Sequence, residues 1–444
     1  GMAGADNIDA SLWRETWEST TVTFNGQTYS GYKPSGMLSN PDLKWETTIS
    51  RNIGLDFGFF NNRLSGTIDA YWNTTKDLLM CIPIDETTGY SYQYQNIGQT
   101  SNKGIEIALN YDILRTKDFT LGVSATYNYN HNNIDELADN IIAQYGSQWA
   151  SSATTPTYDY EFREGKPVGL IRGYICDGYY TTADFNYDPA TKTYTLKPGV
   201  ADLGNQVGNY PSHYNLPEGQ KAFPGAVKLR DLDGNGVADT EDVADLGEIT
   251  HPHTGGFNLN MTWKDIDFSA GFAWAAGGHV YNVNSLINMY GNKDTGAGAN
   301  KLEFISDCYQ IYDIQNGELV PVVEPDALDA LNTGAKYGVP YMENGTVLST
   351  FVEDASFLRL NTLTVGYTFP KAWTKKIGMQ RARVYATAGN LFTITGYSGI
   401  DPEVNADPNK STTAANTGNY PLLGMDYGTY PRARTFTFGV NITF

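Results

Sequence analysis

The last ten residues of the chain alternate strictly between apolar and polar side chains. Apolar residues occupy every second position, at Phe436, Phe438, Val440, Ile442 and Phe444. Small or polar residues fill the positions between them, at Thr435, Thr437, Gly439, Asn441 and Thr443. Because successive side chains of a strand point to opposite faces, the pattern predicts a β-strand with one apolar face. A soluble β-sandwich and a membrane-spanning barrel wall both accommodate such a strand, and in a barrel we expect the apolar set to face lipid.

Similar alternation upstream predicts a series of antiparallel hairpins. Residues 53–59 and 64–72 flank the pair 61–62, which is Asn-Asn, and Asn tolerates the left-handed conformation that a two-residue turn requires. Further strands turn or end at 115–118, at 264–265 and before Pro370. We count ten to twelve candidate strands, each close to the roughly 9–11 residues that cross a bilayer.

The connections between these strands are short on one side and long on the other. The long ones are 77–100, 132–165, 180–224, 281–350 and 395–431. Transmembrane barrels combine tight periplasmic turns with long extracellular loops in this way. Aromatic residues near the strand ends are expected to form the two interfacial girdles: Trp72, Tyr127, Tyr129, Trp263, Trp274 and Tyr367. Two stretches with a helical pattern, 134–144 and 325–331, are interpreted as short helices packed inside loops.

Composition supports a β-protein and excludes several functional classes. The 31 Tyr, 19 Phe and 8 Trp favour strands, and the 46 Gly favour turns. No stretch approaches the roughly 18 apolar residues of a membrane-spanning helix, which excludes a helical membrane protein. A formal net charge of −19 argues against binding nucleic acid. Three widely spaced cysteines indicate neither a disulfide framework nor a zinc site.

A calcium-type loop is the sharpest local motif of the chain, within the segment 225–250. Its candidate ligands are Asp231, Asp233, Asn235, the backbone carbonyl of Val237, Asp239 and Asp242. Calcium needs six to eight oxygen ligands, and this spacing follows a twelve-residue calcium loop with a turn-forming Gly at its sixth position. Because Pro224 and Gly225 break one flanking helix, we expect a calcium loop between strands, not an EF-hand pair. The alternative is an Asp/Asn/Gly turn without a metal.

Aromatic side chains in the long loops are candidates for ligand binding. Flat aromatic faces suit sugar rings, and the candidates are Tyr92, Tyr94, Trp149, Tyr158 and Tyr160. The alternative is that these rings only pack the loops together. His251 and His253 offer two metal nitrogens without an evident third ligand. No nucleophile elbow, metalloprotease helix or phosphate loop appears, and we predict that the protein is not an enzyme. The alternative is a carbohydrate-active enzyme, because a pair of glycosidase carboxylates is recognised by its separation in space and not by a sequence motif.

Several short motifs, in order along nearly the whole chain, resemble the SusC/RagA family of TonB-dependent transporters of Bacteroidetes. They are 40–47 (NPDLKWET), 52–79, 88–90 (TGY), 95–98 (QNIG), 102–106 (NKGIE), 357–360 (FLRL), 389–392 (GNLF) and 430–436 (YPRARTF). The resemblance implies a β-barrel in the outer membrane, in contact with its lipid. It also implies energy-dependent uptake of oligosaccharides or peptides, with a SusD-like lipoprotein as lid.

The sequence departs from that family in one respect, because we find no N-terminal plug and no TonB box in it. A family barrel has about 22 strands. We therefore expect residues 1–444 to be the C-terminal barrel portion of a receptor, unable to transport without the plug through which TonB acts. Unpaired edge strands are not tolerated in lipid, so such a portion is expected to close on itself or pair with another copy. The alternative to a transporter is a soluble glycan-binding β-protein.

Overall fold

The computed structural model describes residues 2–5, 12–137, 143–145, 154–155, 158, 160–208, 213–289, 303–342, 345–404, 424–426 and 428–444. One large antiparallel sheet dominates this part of the chain. Its ten strands are β1 (Met2–Ala5), β2 (Glu46–Phe59), β3 (Leu64–Lys76), β4 (Gly98–Arg115), β5 (Phe119–Leu137), β6 (His253–Trp263), β7 (Ile266–Ala276), β8 (Phe357–Thr368), β9 (Arg381–Thr395) and β10 (Thr435–Thr443). The prediction of ten to twelve strands is confirmed.

The order of strands across the sheet is their order along the chain. Each strand pairs antiparallel with the next, so the wall is an up-and-down meander. Strands β1 and β10 lie at opposite edges and do not pair with each other within the described residues. One of our two expectations was that this portion closes on itself. That expectation is wrong for the described residues, because the two edge strands stay apart. Pairing of the sheet's edges with another copy stays a prediction.

The turns at one end of the sheet are short, as predicted. Strands β6 and β7 are joined by a two-residue turn at 264–265, in which Lys264 has a φ of 53°. The predicted two-residue turn at 61–62 is wrong, because β2 ends at Phe59 and β3 begins at Leu64. Phe60 joins Asn61 and Asn62 in the left-handed region, which lengthens this turn to four residues.

The connections at the other end are long and run over 6–45, 77–97, 138–252, 277–356 and 396–434. The predicted loops 132–165 and 180–224 are therefore parts of a single insertion between β5 and β6. The helix predicted over 134–144 is wrong: β5 continues to Leu137, and residues 143–145 form a strand. Hydrogen bonding of β5 along β4 as far as Gly98 outweighs the helical pattern.

Short strands and helices fill these connections. The strands are Trp17–Phe24, Gln27–Pro34, Met37–Leu38, Leu79–Pro83, Tyr92–Asn96, Ala143–Tyr145, Thr154–Thr155, Tyr160–Phe162, Leu170–Tyr174, Cys176–Tyr179, Phe185–Asp188, Thr193–Leu196, Val227–Leu229, Val243–Glu248, His279–Tyr281, Tyr312–Gln315, Glu318–Pro321, Gly345–Thr346 and Val352–Asp354. The helices of the described residues in these connections are α1 (Val283–Met289) and α2 (Pro325–Leu331), whereas α3 (Lys371–Thr374) lies between β8 and β9 at the other end of the sheet. Helix α2 confirms the prediction for 325–331. Within the described ranges, every helix falls short of the apolar length needed to traverse a bilayer.

The buried core of the molecule lies in the long connections. Tyr174, Tyr180, Tyr194 and Leu286 are almost fully buried there and belong to one hydrophobic cluster. The wall strands contribute few members to this cluster, and many of their apolar residues are exposed. The molecule thus combines a loop lobe, which has its own core, with a wall that is one sheet thick.

Candidate functional site: the two faces of the wall and a loop-covered cavity

The outer face of the wall is a continuous apolar surface. Strand register places apolar residues in rows that cross the sheet, such as Phe438, Ala386, Val365, Phe268, Met261 and Leu121. Phe438 is 80% exposed and Val365 46% exposed. In a soluble sandwich such rows would be covered by a second sheet, and no second sheet covers them in the described part of the chain.

Aromatic residues border this apolar surface at two levels. Trp72, Tyr127, Tyr129 and Trp274 lie towards the long connections, and Trp263 and Tyr367 lie towards the short turns. The rings of Tyr127 and Trp274 stack with their centroids 6.0 Å apart. From Phe119 to Tyr129 a strand rises by about 33 Å, which at a tilt of about 40° spans roughly 25 Å, the height of the apolar band of a membrane barrel. All six predicted girdle residues lie on the outer face.

The inner face of the same strands is polar. One row across it consists of Thr437, Thr387, Thr364, Ser269 and Asn260. The hydroxyl oxygens of Thr364 and Thr387 are 2.9 Å apart. Near the short turns, Arg383 donates from Nε and Nη2 to the two carboxylate oxygens of Asp267, at 2.9 and 2.5 Å. The wall therefore separates an apolar side from a polar side.

A buried ionic cluster fixes the last long connection to the inner face. Arg359 of β8 is 1% exposed, and its Nη2 donates to Asp401 at 2.6 Å and lies 3.1 Å from Glu403. Arg432 completes the cluster, 3.2 Å from the Glu403 carboxylate. Burial raises the pKa of Asp401, but hydrogen bonds from Arg359 and the Glu403 N–H, and the charges of Arg359 and Arg432, outweigh burial and lower it. Loop residues 401–403 are thereby tied to the wall.

Next to this cluster, the inner face and the loops line an open cavity of about 700 Å³. The wall contributes Tyr71, Asn73, Asn102, Asn128, Asn130 and Thr254. The loops contribute Ile249, Thr250, His251, His279, Val280, Pro402, Glu403, Val404, Gly424 and Arg432. Its position at the long-loop end of the polar face makes it the candidate binding site.

The calcium-type loop brings part of its predicted ligand set together. Carboxylate oxygens of Asp231, Asp233 and Asp242 lie within 4.8 Å of one another. The loop sits between the strands Val227–Leu229 and Val243–Glu248, as predicted. Hydrogen bonds from the N–H groups of Gly236 and Gly234 outweigh the slight burial of Asp231 and lower its pKa. Three negative oxygens at this separation can chelate a hard cation.

Of the other three predicted ligands, Asp239 is not part of that carboxylate set, and Asn235 and the Val237 carbonyl stay predictions. The amide Nδ2 of Asn235 donates to Asp233 and Asp239, at 3.1 and 2.9 Å. Asp239 also accepts the N–H of Glu241 at 2.8 Å and caps the short helix that follows. Val237 forms an isolated bridge with Asp202.

The aromatic ligand candidates have different surroundings. Tyr92 and Tyr94 are half-buried in the strand Tyr92–Asn96, with ring centroids 6.3 Å apart. Tyr158 is half-buried and its pKa is raised, mainly by burial. Tyr160 is 4% exposed within the loop core, which leaves little of its ring for a ligand. Trp149 lies outside the described residues.

Known proteins that are similar to this chain are TonB-dependent receptors. The family profile described as "TonB dependent receptor-like, beta-barrel" matches residues 13–216. The TonB-dependent receptor P3 of Formosa agariphila is 31% identical over 407 residues, which cover 92% of this chain and 35% of that protein. The TonB-dependent receptor SusC of Bacteroides thetaiotaomicron is 29% identical over 451 residues, which cover 100% of this chain and 37% of SusC. Over nearly its whole length the chain is therefore similar to SusC-like TonB-dependent receptors.

The solved structures agree on the fold of this chain. A structure of the RagAB peptide transporter matches 100% of this chain and 40% of its own chain, with a TM-score of 0.66 and 23% identity. The ten-stranded sheet is therefore a section of barrel wall. The chain spans 35–40% of the relatives and of this solved chain.

Sequence reasoning missed the cavity and the ionic cluster. The asparagines of the cavity stand in strands, where Asn is disfavoured, and that misfit was an available signal. Arg359 lies in a motif that matched the family, but its partner Asp401 is 42 residues away in the chain. No local pattern connects the two.

Proposed function

We propose that this chain forms part of the wall and the extracellular loops of an outer-membrane importer of oligosaccharides or peptides. One observation carries the proposal: a single sheet has a broad apolar band across its outer face and a polar inner face. In water the outer face would be a large exposed apolar surface, whereas in a bilayer it would be covered by lipid. The polar inner face would then line the path of the substrate.

The relatives support import as the role of the complete protein. SusC is named a TonB-dependent receptor, and the RagAB structures are titled as a peptide transporter or importer. On this proposal TonB drives uptake through a plug domain, and a SusD-like lipoprotein covers the extracellular loops. The section described here would then bind and conduct substrate but would not transport alone. Its role would be to bind substrate and let it pass, without catalysing a reaction.

Uptake by living cells tests this proposal. Cells that lack the complete gene are compared with cells in which it is restored, using fluorescent oligosaccharides and peptides as the panel. We expect one class of compound to enter only when the gene is present and the proton gradient is intact. Unchanged uptake after deletion would contradict the proposal. So would turnover of a glycan by the purified receptor.

We also propose that the loop 231–242 holds a calcium ion. The close carboxylate oxygens of Asp231, Asp233 and Asp242 support this role. The loop follows the strand Val227–Leu229 and precedes Val243–Glu248, so a bound ion would stiffen the insertion between β5 and β6. In this role the ion is structural, like the calcium of other acidic loops.

A further inference from the structure

The wall of the cavity is built from amide side chains on three neighbouring strands. Strand register puts Asn73 of β3 directly opposite Asn102 of β4. Asn128 and Asn130 follow on β5, and both line the same cavity. The wall strands add only Tyr71 and Thr254 to this lining, so their contribution carries no charge and no aliphatic side chain. An uncharged hydrogen-bonding surface results.

The hydrogen-bonding capacity of these amides is only partly used. Tyr71 donates to Asn130 Oδ1 at 2.8 Å, and Asn130 Nδ2 lies 3.4 Å from Asn102 Oδ1. Asn128 Nδ2 lies 3.4 Å from the Thr254 hydroxyl. Asn128 Oδ1 is buried and accepts no hydrogen bond from the described residues. Since buried polar atoms in proteins nearly always have a partner, the protein leaves the hydrogen-bonding capacity of this amide unfilled, and a rotation of the side chain would present it to a ligand.

The charges around the cavity disfavour anions. In the sheet, Glu106 of β4 pairs with Asp69 of β3 and with Asn128 of β5. No cationic side chain pairs with either carboxylate among the ion pairs of the described residues. Within the cavity lining itself, Glu403 and Arg432 neutralise each other at 3.2 Å. A ligand at Asn128 therefore meets a negative electrostatic field from the carboxylates of Asp69 and Glu106.

We propose that this cavity is a subsite for an uncharged, hydroxyl-rich ligand, a neutral oligosaccharide, with Asn102 and Asn128 as specificity-determining residues. A sugar hydroxyl both donates and accepts, and so does each asparagine amide. An extended peptide would instead need pockets for alternate side chains, which the wall side of the cavity lacks. Acidic sugars are rejected by Asp69 and Glu106. This inference rests on the proposed import function and names the class of substrate.

Binding to the complete receptor in detergent tests the inference. Titration calorimetry uses maltoheptaose, xylohexaose and mannohexaose as neutral probes, tri-galacturonate as an acidic probe, and an uncharged hexapeptide. We expect at least one neutral probe to bind, and its affinity to fall roughly tenfold or more in Asn102→Leu and in Asn128→Leu. We expect Asp69→Asn combined with Glu106→Gln to strengthen binding of the acidic probe.

Asn258→Leu is the matched control. Asn258 lies on the inner face of β6, and its Nδ2 is 3.4 Å from the Ser124 hydroxyl, but it does not line the cavity. We expect its substitution to leave sugar affinity unchanged. If a leucine variant fails to fold, Asn102→Ser or Asn128→Ser replaces it, because serine removes the amide and keeps a polar side chain.

The outcomes separate this inference from the import proposal. Equal sugar affinity in the cavity variants and in Asn258→Leu would overturn the inference, as would binding of the hexapeptide without any sugar. If cells take up peptides and Asn102→Leu leaves this uptake unchanged, the inference would also be overturned, while the import proposal would stand. The cavity variants could lose sugar binding while deletion of the gene changes no uptake. This pair of results would support the inference and contradict the import proposal.

Discussion

At the scale of single residues, the calcium-type loop concentrates negative charge in a small space. Asp242 is fully buried, and its carboxylate accepts the N–H groups of Leu232 and Asp239. Asp231 accepts the N–H groups of Gly234 and Gly236. These bonds orient the carboxylates before any metal arrives. Repulsion among three negative groups is then relieved by a divalent cation.

Calcium binding should depend on the side chain of Asp233, which brings a carboxylate oxygen to the other two and bonds to Asn235. We expect the receptor to bind calcium, and Asp233→Ala to lower the affinity roughly tenfold or more. Titration calorimetry in a calcium-free buffer measures this. Asp313→Ala is the control, because the Asp313 carboxylate accepts hydrogen bonds from residues one and two positions further along the chain, as that of Asp233 does from Asn235. No heat of binding in either wild type or variant would leave the loop as a metal-free turn.

At the scale of elements, strand β10 shows how far the alternation of residues determines the structure. Its predicted apolar set lies on the outer face, since Phe438 pairs with Ala386 and Phe436 with Ala388. Its polar set continues the threonine row of the inner face through Thr387 and Thr364. A slip of one residue in register would exchange the two faces.

Arginine substitutions at adjacent positions of β10 test its orientation. Phe438→Arg would place a charge on the outer face, where lipid would impose a cost of roughly 2–4 kcal/mol near the bilayer centre. Thr437→Arg points to the polar side and should cost much less. Folding stability of both variants of the complete receptor in lipid vesicles measures the difference. A larger cost for Thr437→Arg would invert the assigned faces, and equal costs would contradict a lipid-facing surface.

The elements also show where local sequence stops being informative. Period-two patterns located most of the wall strands because they depend on neighbouring residues alone. The end of β5 was missed because pairing with β4 extends it beyond its apolar residues, through Asn132 and Asn133. The turn after β2 was misjudged because Phe60, an unusual residue for a positive φ, joins the two asparagines there.

At the scale of the whole molecule, the binding site arises from residues that are far apart in the chain. The cavity joins Tyr71 on β3 with Thr254 on β6 and with Arg432 in the last connection. The family resemblance indicated a barrel wall, and that prediction is confirmed by the relatives and the fold. The resemblance could not indicate which loop folds onto which strand, because this depends on the packing of the long insertions. The site therefore became visible only in three dimensions.

The central claim is that one face of the wall lies against lipid and the other lines a polar interior. The most direct test attaches single spin labels along β5 of the complete receptor in lipid bilayers. It measures how accessible each label is to oxygen and to a water-soluble nickel complex. We predict that labels at 119, 121, 123, 125 and 127 are reached by oxygen, with a maximum near Val123. Labels at 120, 122, 124 and 126 should be reached by nickel. Equal access at both sets, or the reverse alternation, would contradict the account.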